Sequence, residues 1–223
     1  MNNDFIYVVP ARKGSKGIKE KNLIKIKNKP LIVNTFKILK KIKKENKYVV
    51  SNDLRIKKIA RKFNINDSYF RPEKLSGDKV ELTETLKDFS IDLLKKIKFK
   101  YIVILQPTSP LRTYLDVKRS TEKFLKGNYS SLFSISPSAE HPNESVYIEN
   151  KKVRYFFNKK STLRQNYKPS YFINGAIYIS NVRNILKKKI IDKKNHGFYV
   201  MKKSHSIDID DKEDLIIARK FIN

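Results

Sequence analysis

The sequence predicts an α/β fold with a mostly parallel sheet and helices on both faces. Two observations carry that expectation. Short apolar runs alternate along the chain with segments of helical periodicity, which calls for parallel pairing through right-handed crossovers. The first run, Phe5 to Val9, is apolar without a break, as a strand covered on both faces must be. Pro10 closes it.

The later elements follow in order. "KPLIVNTFKILKKIKK" reads as a helix, with Pro30 suited to its first turn and Ile32, Phe36, Leu39 and Ile42 at helical spacing. "KYVVSND" (47–53) is a second strand ending in polar residues. "LRIKKIARKFNI" (54–65) places Ile56, Ile59, Ala60 and Phe63 on one side of a helix, and Leu82, Leu86, Phe89, Leu93 and Ile97 mark the next. "YIVILQP" (101–107) has the strongest strand character in the chain. After about Ser130 the rhythm breaks. "SLFSISPS", "ESVYIEN", "KKVRYFF" and "YFINGAIYIS" are strand-like pieces on short turns, with "ENKK" as a hairpin loop. A β-rich insertion over roughly 135–172 is expected within a single domain spanning 1–223. "NGAIYIS" returns to the main sheet, and "DKEDLIIARKFI" is the last helix.

A chain of 223 residues buries enough surface, roughly 70–75% of that exposed when unfolded, to stand without staples. It has no cysteine, which excludes disulfides and thiolate chemistry and accords with a reducing cytoplasm. No apolar run approaches the roughly 20 residues of a membrane span. The start, "MNNDFIYVVP", lacks the make-up of a signal peptide, so a cytoplasmic protein is expected, with no membrane partner. The net charge of +28 raises the question of nucleic acid. Lysine, asparagine and isoleucine nevertheless crowd the whole chain, in "KKIKKENK", "LLKKIKFK" and "ILKKKIIDKKN". That spread reads as the codon bias of an A/T-rich genome on solvated helix faces, with no nucleic-acid partner. Few aromatics interleave with the basic runs, which counts against a stacking platform. His141, His196 and His205 lack ligand spacing and read as surface or packing residues.

In open parallel sheets, ligands bind beyond the carboxyl ends of the strands, and three polar sets lie there. "VVPARKGSKGIKEKN" (8–22) follows the first strand. Its Gly14, Ser15 and Gly17 permit a loop whose amides converge on an anion, while Arg12, Lys16 and Lys21 add full charges. It matches neither the Walker A nor the G-x-G-x-x-G pattern, and a basic turn is the plainer alternative. "LQPTSPLR" (105–112) offers Gln106, Thr108, Ser109 and Arg112 on a proline-stiffened backbone. The amide and hydroxyls suit a sugar, and Arg112 suits a carboxylate or a structural ion pair; a braced turn is again the alternative. In "SIDIDDKED" (206–214), strand alternation points Asp208 and Asp210 to one side, where they can share a hard cation such as Mg²⁺. Asp210 or Asp211 can equally cap the last helix, with Glu213 or Asp214 completing a capping box.

Together, "PARKGSKGIKEKNL", "KPLI", "RPEKLSGD", "LQPTSPLR", "LRQ", "NGAIYI" and "SIDIDDKEDL" resemble, in order and spacing from Val9 to Leu215, the acylneuraminate cytidylyltransferases. These enzymes make CMP-activated sialic and related nonulosonic acids. The resemblance implies a Rossmann-like nucleotidyltransferase with a small inserted β-rich dimerisation segment, hence a homodimer. It implies CTP as co-substrate, a nonulosonic acid as acceptor and Mg²⁺ (or Mn²⁺) as cofactor. By position, Arg12, Lys16 and Lys21 would hold the triphosphate, and Ala11, Gly14, Ser15, Asn22 and Arg71 would lie by the nucleotide. Gln106, Thr108, Ser109, Arg164 and Gln165 would face the sugar acid, and Asp208 and Asp210 would hold the metal. The catalytic set it implies is Arg12, Lys16, Lys21, Asp208 and Asp210. The chain departs from the family pattern at Lys19, Asn28 and "SND" (51–53), and, within the implied site, at Leu163 and Leu82. The last two bear on which sugar binds and on cytidine recognition. The related synthetase for the eight-carbon acid 3-deoxy-manno-octulosonate starts from a different loop pattern.

Overall fold

Phe5, Tyr7 and Val9 point into one apolar cluster and Ile6 and Val8 into another, so the unbroken apolar run is buried on both faces. The computed structural model describes residues 4–14, 17–43, 46–157 and 163–222, and not the side chain of Arg164.

In chain order, β1 (Phe5–Pro10) leads through a loop to the short pair β2 (Lys25–Ile26) and β3 (Lys29–Pro30), then to α1 (Ile32–Lys41). β4 (Lys47–Val50), α2 (Leu54–Arg61), α3 (Leu82–Leu94), β5 (Tyr101–Ile104) and α4 (Tyr114–Lys126) follow. The second half holds β6 (Ser131–Pro137), the hairpin β7 (Val146–Glu149) and β8 (Lys152–Tyr155), and the long strand β9 (Tyr171–Asn181). α5 (Val182–Leu186), β10 (His196–Val200) and α6 (Lys212–Phe221) complete the chain. The central sheet runs β10-β6-β9-β5-β1-β4. β1 pairs in parallel with β4 and β5, as β10 does with β6, while β9 is antiparallel to both its neighbours. The mostly parallel α/β sheet expected from the sequence is therefore present, with one strand reversed. α1, α2 and α4 cover one face and α3 and α5 the other.

Three local readings change. Pro30 lies in β3, not in the first turn of α1, because Leu31 N still donates to Ile24 O and holds the chain to the preceding segment. Residues 206–210 form no strand; a single tie, Ile209 N to Thr108 O at 2.9 Å, takes the place of a ladder. "SLFSIS" belongs to the central sheet as β6, so the separate β-rich piece is the β7–β8 hairpin, closed by Asn150 and Lys151 at positive φ as a primed turn requires. α4, α5 and β10 were not anticipated. α4 begins with a reciprocal capping box in which Thr113 Oγ1 accepts from Asp116 N while Asp116 accepts from Thr113 N. Among the described residues no helix is long and apolar enough to cross a membrane.

A third, smaller apolar cluster positions the site. Ile18 from the loop after β1, Ile26 and Leu31 pack with Ile209 and with Leu215, Ala218 and Ile222 of the α6 region. Burying those side chains together, at about 1.5–3 kcal/mol for each isoleucine and leucine, brings the first and last thirds of the chain to one rim.

Candidate active site

At that rim lies a cleft of about 540 Å³, lined by Arg12, Gly17, Lys21 and Asn22 from the opening loop, Arg71 and Leu82, Gln106 and Thr108 after β5, and Asp210. The three polar sets read from the sequence thus meet at one place, beyond the carboxyl ends of β1 and β5.

The opening loop is fixed by backbone and buried polar contacts. Ala11 N donates to Val50 O, and its side chain belongs to the core beneath the cleft. Lys13 N donates to Asn52 Oδ1 at 2.7 Å, and Asn22 Nδ2 to the Arg12 carbonyl at 3.2 Å. Gly14 holds φ +82°, a left-handed conformation suited to glycine, with open space where a Cβ would sit. At Gly17 a Cβ would lie 2.3 Å from the Asp210 carbonyl oxygen, so only glycine lets the loop meet the chain there. Lys21 Nζ donates to the Ile209 carbonyl at 2.7 Å and pairs with Asp210 Oδ1 at 2.9 Å. Ser15 and Lys16 lie outside the described residues.

Two guanidiniums share the other wall. Arg12 pairs with Asp78 at 2.6 Å and reaches the Ser76 carbonyl at 3.4 Å. Arg71 is buried and donates through Nε and Nη2 to the Leu75 carbonyl, which Thr85 Oγ1 also reaches. Burial, and secondarily the Arg12 charge, lower the Arg71 pKa to about 10, which leaves it a cation at neutral pH.

The floor is set by an irregularity in β9. Between Ile173 and Tyr178 the strand advances five positions while β6 advances from Phe133 to Ile135, a bulge containing Gly175 at φ +70°. Ser134 Oγ donates to Asn174 Oδ1 and accepts from Ile177 N, and Asn174 Nδ2 donates to Ser206 Oγ. Arg112 holds the other side, its Nη1 donating to the carbonyls of Ala176 and Gln106 and its Nη2 to Thr35 Oγ1. Arg112 is thus a brace for the bulge, bound to carbonyls and not to a carboxylate. A Cβ on Gly175 would sit 3.6 Å from Asp208 Oδ2 and 3.7 Å from Gln106 Oε1, so the bulge brings these two groups together.

Asp208 and Asp210 flank the buried Ile209. Burial raises the Asp208 pKa; the nearby Thr108 hydroxyl opposes that rise, and Asp210 adds to it. Neither Asp208 Oδ1 nor Thr108 Oγ1 has a hydrogen-bond partner of ordinary geometry, and both are inaccessible to solvent. Asp211 is the cap of α6, accepting from Glu213 N and Asp214 N, while Asp214 accepts from Asp211 N and Asp210 N. The cap is thus made by the carboxylates of Asp211 and Asp214, and those of Asp208 and Asp210 take no part in it.

The sugar-facing set divides. Gln106 and Thr108 line the cleft, whereas Ser109 is buried beside it with its hydroxyl unpartnered. Gln165 is exposed in a 3₁₀ turn (Arg164–Asn166) and is not among the lining residues, and the Arg164 side chain is not described. Sequence reasoning did not single out Asp78, Asn52 or the bulge at Gly175. All three lie in quoted stretches, Asp78 ending "RPEKLSGD", Asn52 within "SND" and Gly175 within "NGAIYI", but nothing in those stretches assigns them a role. None of the three histidines lines the cleft.

Asp208 is not among the lining residues; Asp210 is, and two guanidiniums and an ammonium lining the cleft with it suit a polyphosphate. Comparison with known proteins points the same way. The chain is 31% identical over 216 residues to an N-acylneuraminate cytidylyltransferase of Streptococcus agalactiae, covering 95% of this chain and 51% of that protein. It therefore spans about half the length of the streptococcal relatives it matches. It is 29% identical to a CMP-N,N'-diacetyllegionaminic acid synthase of Legionella pneumophila, covering 98% of this chain and 96% of that one. In fold it matches a CMP:2-keto-3-deoxy-manno-octonic acid synthetase solved with CTP, at 14% identity and a TM-score of 0.70 over 98% of both chains. A family model described as cytidylyltransferase matches residues 6–218, and on that match, with the site assembled as above, the chain belongs to the cytidylyltransferase family.

Proposed function

We propose that the chain transfers CMP from CTP to the anomeric hydroxyl of a nonulosonic, sialic-type acid and releases pyrophosphate. The observation that carries this reading is the convergence of Arg12, Lys21 and Arg71 with Gln106, Thr108 and Asp210 in one cleft. The curated relatives support the acceptor class, because their names specify an acylneuraminate and a diacetyllegionaminic acid.

In this reading the C2 hydroxyl oxygen attacks the α-phosphorus of CTP. The bond from that phosphorus to the oxygen bridging it to the β-phosphorus breaks, and the hydroxyl proton leaves to the carboxylate pair. Such transfers need alignment and neutralisation of spreading charge more than covalent chemistry. Arg12 and Lys21, with Lys16, receive the β- and γ-phosphates and then the departing pyrophosphate. Asn22 and Arg71 border the nucleotide, and Gln106 and Thr108 orient the acid. Ser109, Arg164 and Gln165 are assigned to the acid by the resemblance in sequence.

The carboxylates fit a divalent ion. Asp208 Oδ1 is buried with no hydrogen bond of ordinary geometry, and Asp208 and Asp210 repel one another. Among the described residues no group of three or more acidic, histidine or cysteine side chains is placed to hold a metal ion, so water and substrate phosphates would complete the shell, as Mg²⁺ prefers. Asp208 and Asp210 would hold Mg²⁺ (or Mn²⁺), which when bound lowers the hydroxyl's pKa and offsets charge on the α-phosphate.

A homodimer is part of the proposal. Val146, Ile148, Val153, Tyr155, Phe156 and Phe157 around the hairpin are exposed, as are Tyr171 to Ile173 of β9. Exposed apolar side chains in this number support an interface, and the occupant proposed is a second copy in the cytoplasm.

A pyrophosphate-release assay of CTP against N-acetylneuraminate, pseudaminate, legionaminate and 3-deoxy-manno-octulosonate tests the function. Release is expected only when CTP and a nonulosonic acid are both present. Release with the eight-carbon acid alone, or with none, overturns it.

A further inference from the structure

We propose that Asp78 is the resident counter-anion of the triphosphate site, holding Arg12 between turnovers, yielding it to CTP and reclaiming it as pyrophosphate leaves. The inference rests on the assignment of the cleft to CTP and adds a residue that this assignment leaves out. Arg12 is the outer of the two guanidiniums, and its closest partner is Asp78 at 2.6 Å. The pair stands at the mouth of the cleft, with side chains 30% and 39% exposed, so an incoming anion can reach it. Arg71 is close enough to Arg12 for the two charges to repel. Asp78 is the carboxylate paired with Arg12, and its single negative charge is a weaker partner for two cations than a triphosphate is.

The Asp78 side chain is exposed, and the wall beside it is held independently of it. Leu75 O is anchored by Arg71 and Thr85, and Ser76 Oγ donates to Pro72 O at 3.0 Å. The next residue is Gly77, where an added Cβ would meet only Val80, at 3.8 Å, and the exposed turn it opens is closed by Val80 N donating to Gly77 O at 3.2 Å. The wall up to Ser76 can therefore stay in place while Asp78 swings away from Arg12. On the return stroke, Asp78 competes with pyrophosphate for Arg12, which favours release of a product that would otherwise stay on two guanidiniums and an ammonium.

Calorimetric titration of the full chain with CTP, CMP and inorganic pyrophosphate tests this in the wild type, Asp78→Asn and Asp78→Glu. Freeing an exposed ion pair and removing its repulsion should make Asp78→Asn bind CTP and pyrophosphate about three- to ten-fold tighter. CMP, which lacks the outer phosphates, should change less than about two-fold, and Asp78→Glu should behave as wild type. In turnover, pyrophosphate should inhibit Asp78→Asn at lower concentration. Equal or weaker CTP binding by Asp78→Asn overturns the proposal, as does a parallel shift for CTP and CMP, which would mean that Asp78 only shapes the wall. Failure of the wild type to bind CTP defeats the functional assignment itself, a result distinguishable from either.

Discussion

Lys21 Nζ lies 2.7 Å from the carbonyl oxygen of Ile209 and 2.9 Å from Asp210 Oδ1, so one nearly buried ammonium joins the first loop to the last segment. Lys21→Ala should therefore act twice. It should lower kcat/KM for CTP by about 10²-fold, as loss of a charge-stabilising donor commonly does. It should also lower the melting temperature by several degrees, given about 1.5–3 kcal/mol for a hydrogen bond to a charged group. An unchanged response to CTP would make the opening loop an ordinary basic turn.

Asp208 is buried at a cost in stability. Its pKa in the folded chain stands above the ordinary 3.8, chiefly through burial. Between those two values the folded state binds more protons than the unfolded one, so stability falls as pH rises through that window. Asp208→Asn should melt above wild type at pH 7.5, and the advantage should shrink toward pH 4. The same variant, and Asp210→Asn, should lose about 10²-fold or more in turnover. A lower melting point for Asp208→Asn at pH 7.5 would contradict the account.

Gly17 and Gly14 are small for different reasons, and alanine should separate them. Gly17→Ala forces a Cβ to within 2.3 Å of the Asp210 carbonyl, so the loop and the carboxylate segment must part. Turnover should drop by about 10-fold or more, because displacement of aligned groups is costly. Gly14→Ala meets no atom within 4 Å and carries only the strain of its positive φ, about 1 kcal/mol. Kinetics that leave Gly17→Ala at wild-type rates would show that the contact does not position the site.

Arg112 should matter to stability before catalysis. Arg112→Ala leaves the buried carbonyl of Ala176 without its side-chain donor, at about 1–3 kcal/mol, and takes one of two donors from the part-buried carbonyl of Gln106. The urea midpoint should fall accordingly, with KM for CTP little changed in the folded fraction. A midpoint within error of wild type would remove Arg112 as the brace of the bulge.

The hairpin offers a test of assembly. Ile148 is 77% exposed, and Phe156 nearby is also largely exposed. If a second copy covers them, wild type should sediment as a dimer, and Ile148→Asp with Phe156→Asp should yield a folded monomer. A monomeric wild type at micromolar concentration would end the dimer proposal.

Much of this was legible before any coordinates. β1, β4 and β5 announce themselves as apolar runs because both their faces are covered, and α1 to α3 by spacing. The direction of β9 is not written in its alternation, which is the same in parallel and antiparallel pairing, so its reversal could not be read. Arg112 lies in a motif of polar donors, and nothing in sequence separates an arginine that meets carbonyls from one that meets a ligand. α4 could have been found, since Thr113 and Asp116 stand at capping-box spacing before Val117. Asp208 and Asp210 were paired through an expected strand that does not form. Ile209, buried between them, keeps the alternation without the ladder.

β9 has one further consequence. Its outer end, Tyr171 to Ile173, is the exposed apolar edge, and two residues on from Ile173 the same strand passes Asp208 and Gln106 at Gly175. At about 3.3 Å per residue, the two regions lie within a nanometre along one continuous backbone. A subunit gripping that edge would hold the far end of a lever whose fulcrum is the bulge, so damage at the contact should register as slower chemistry as well as weaker association.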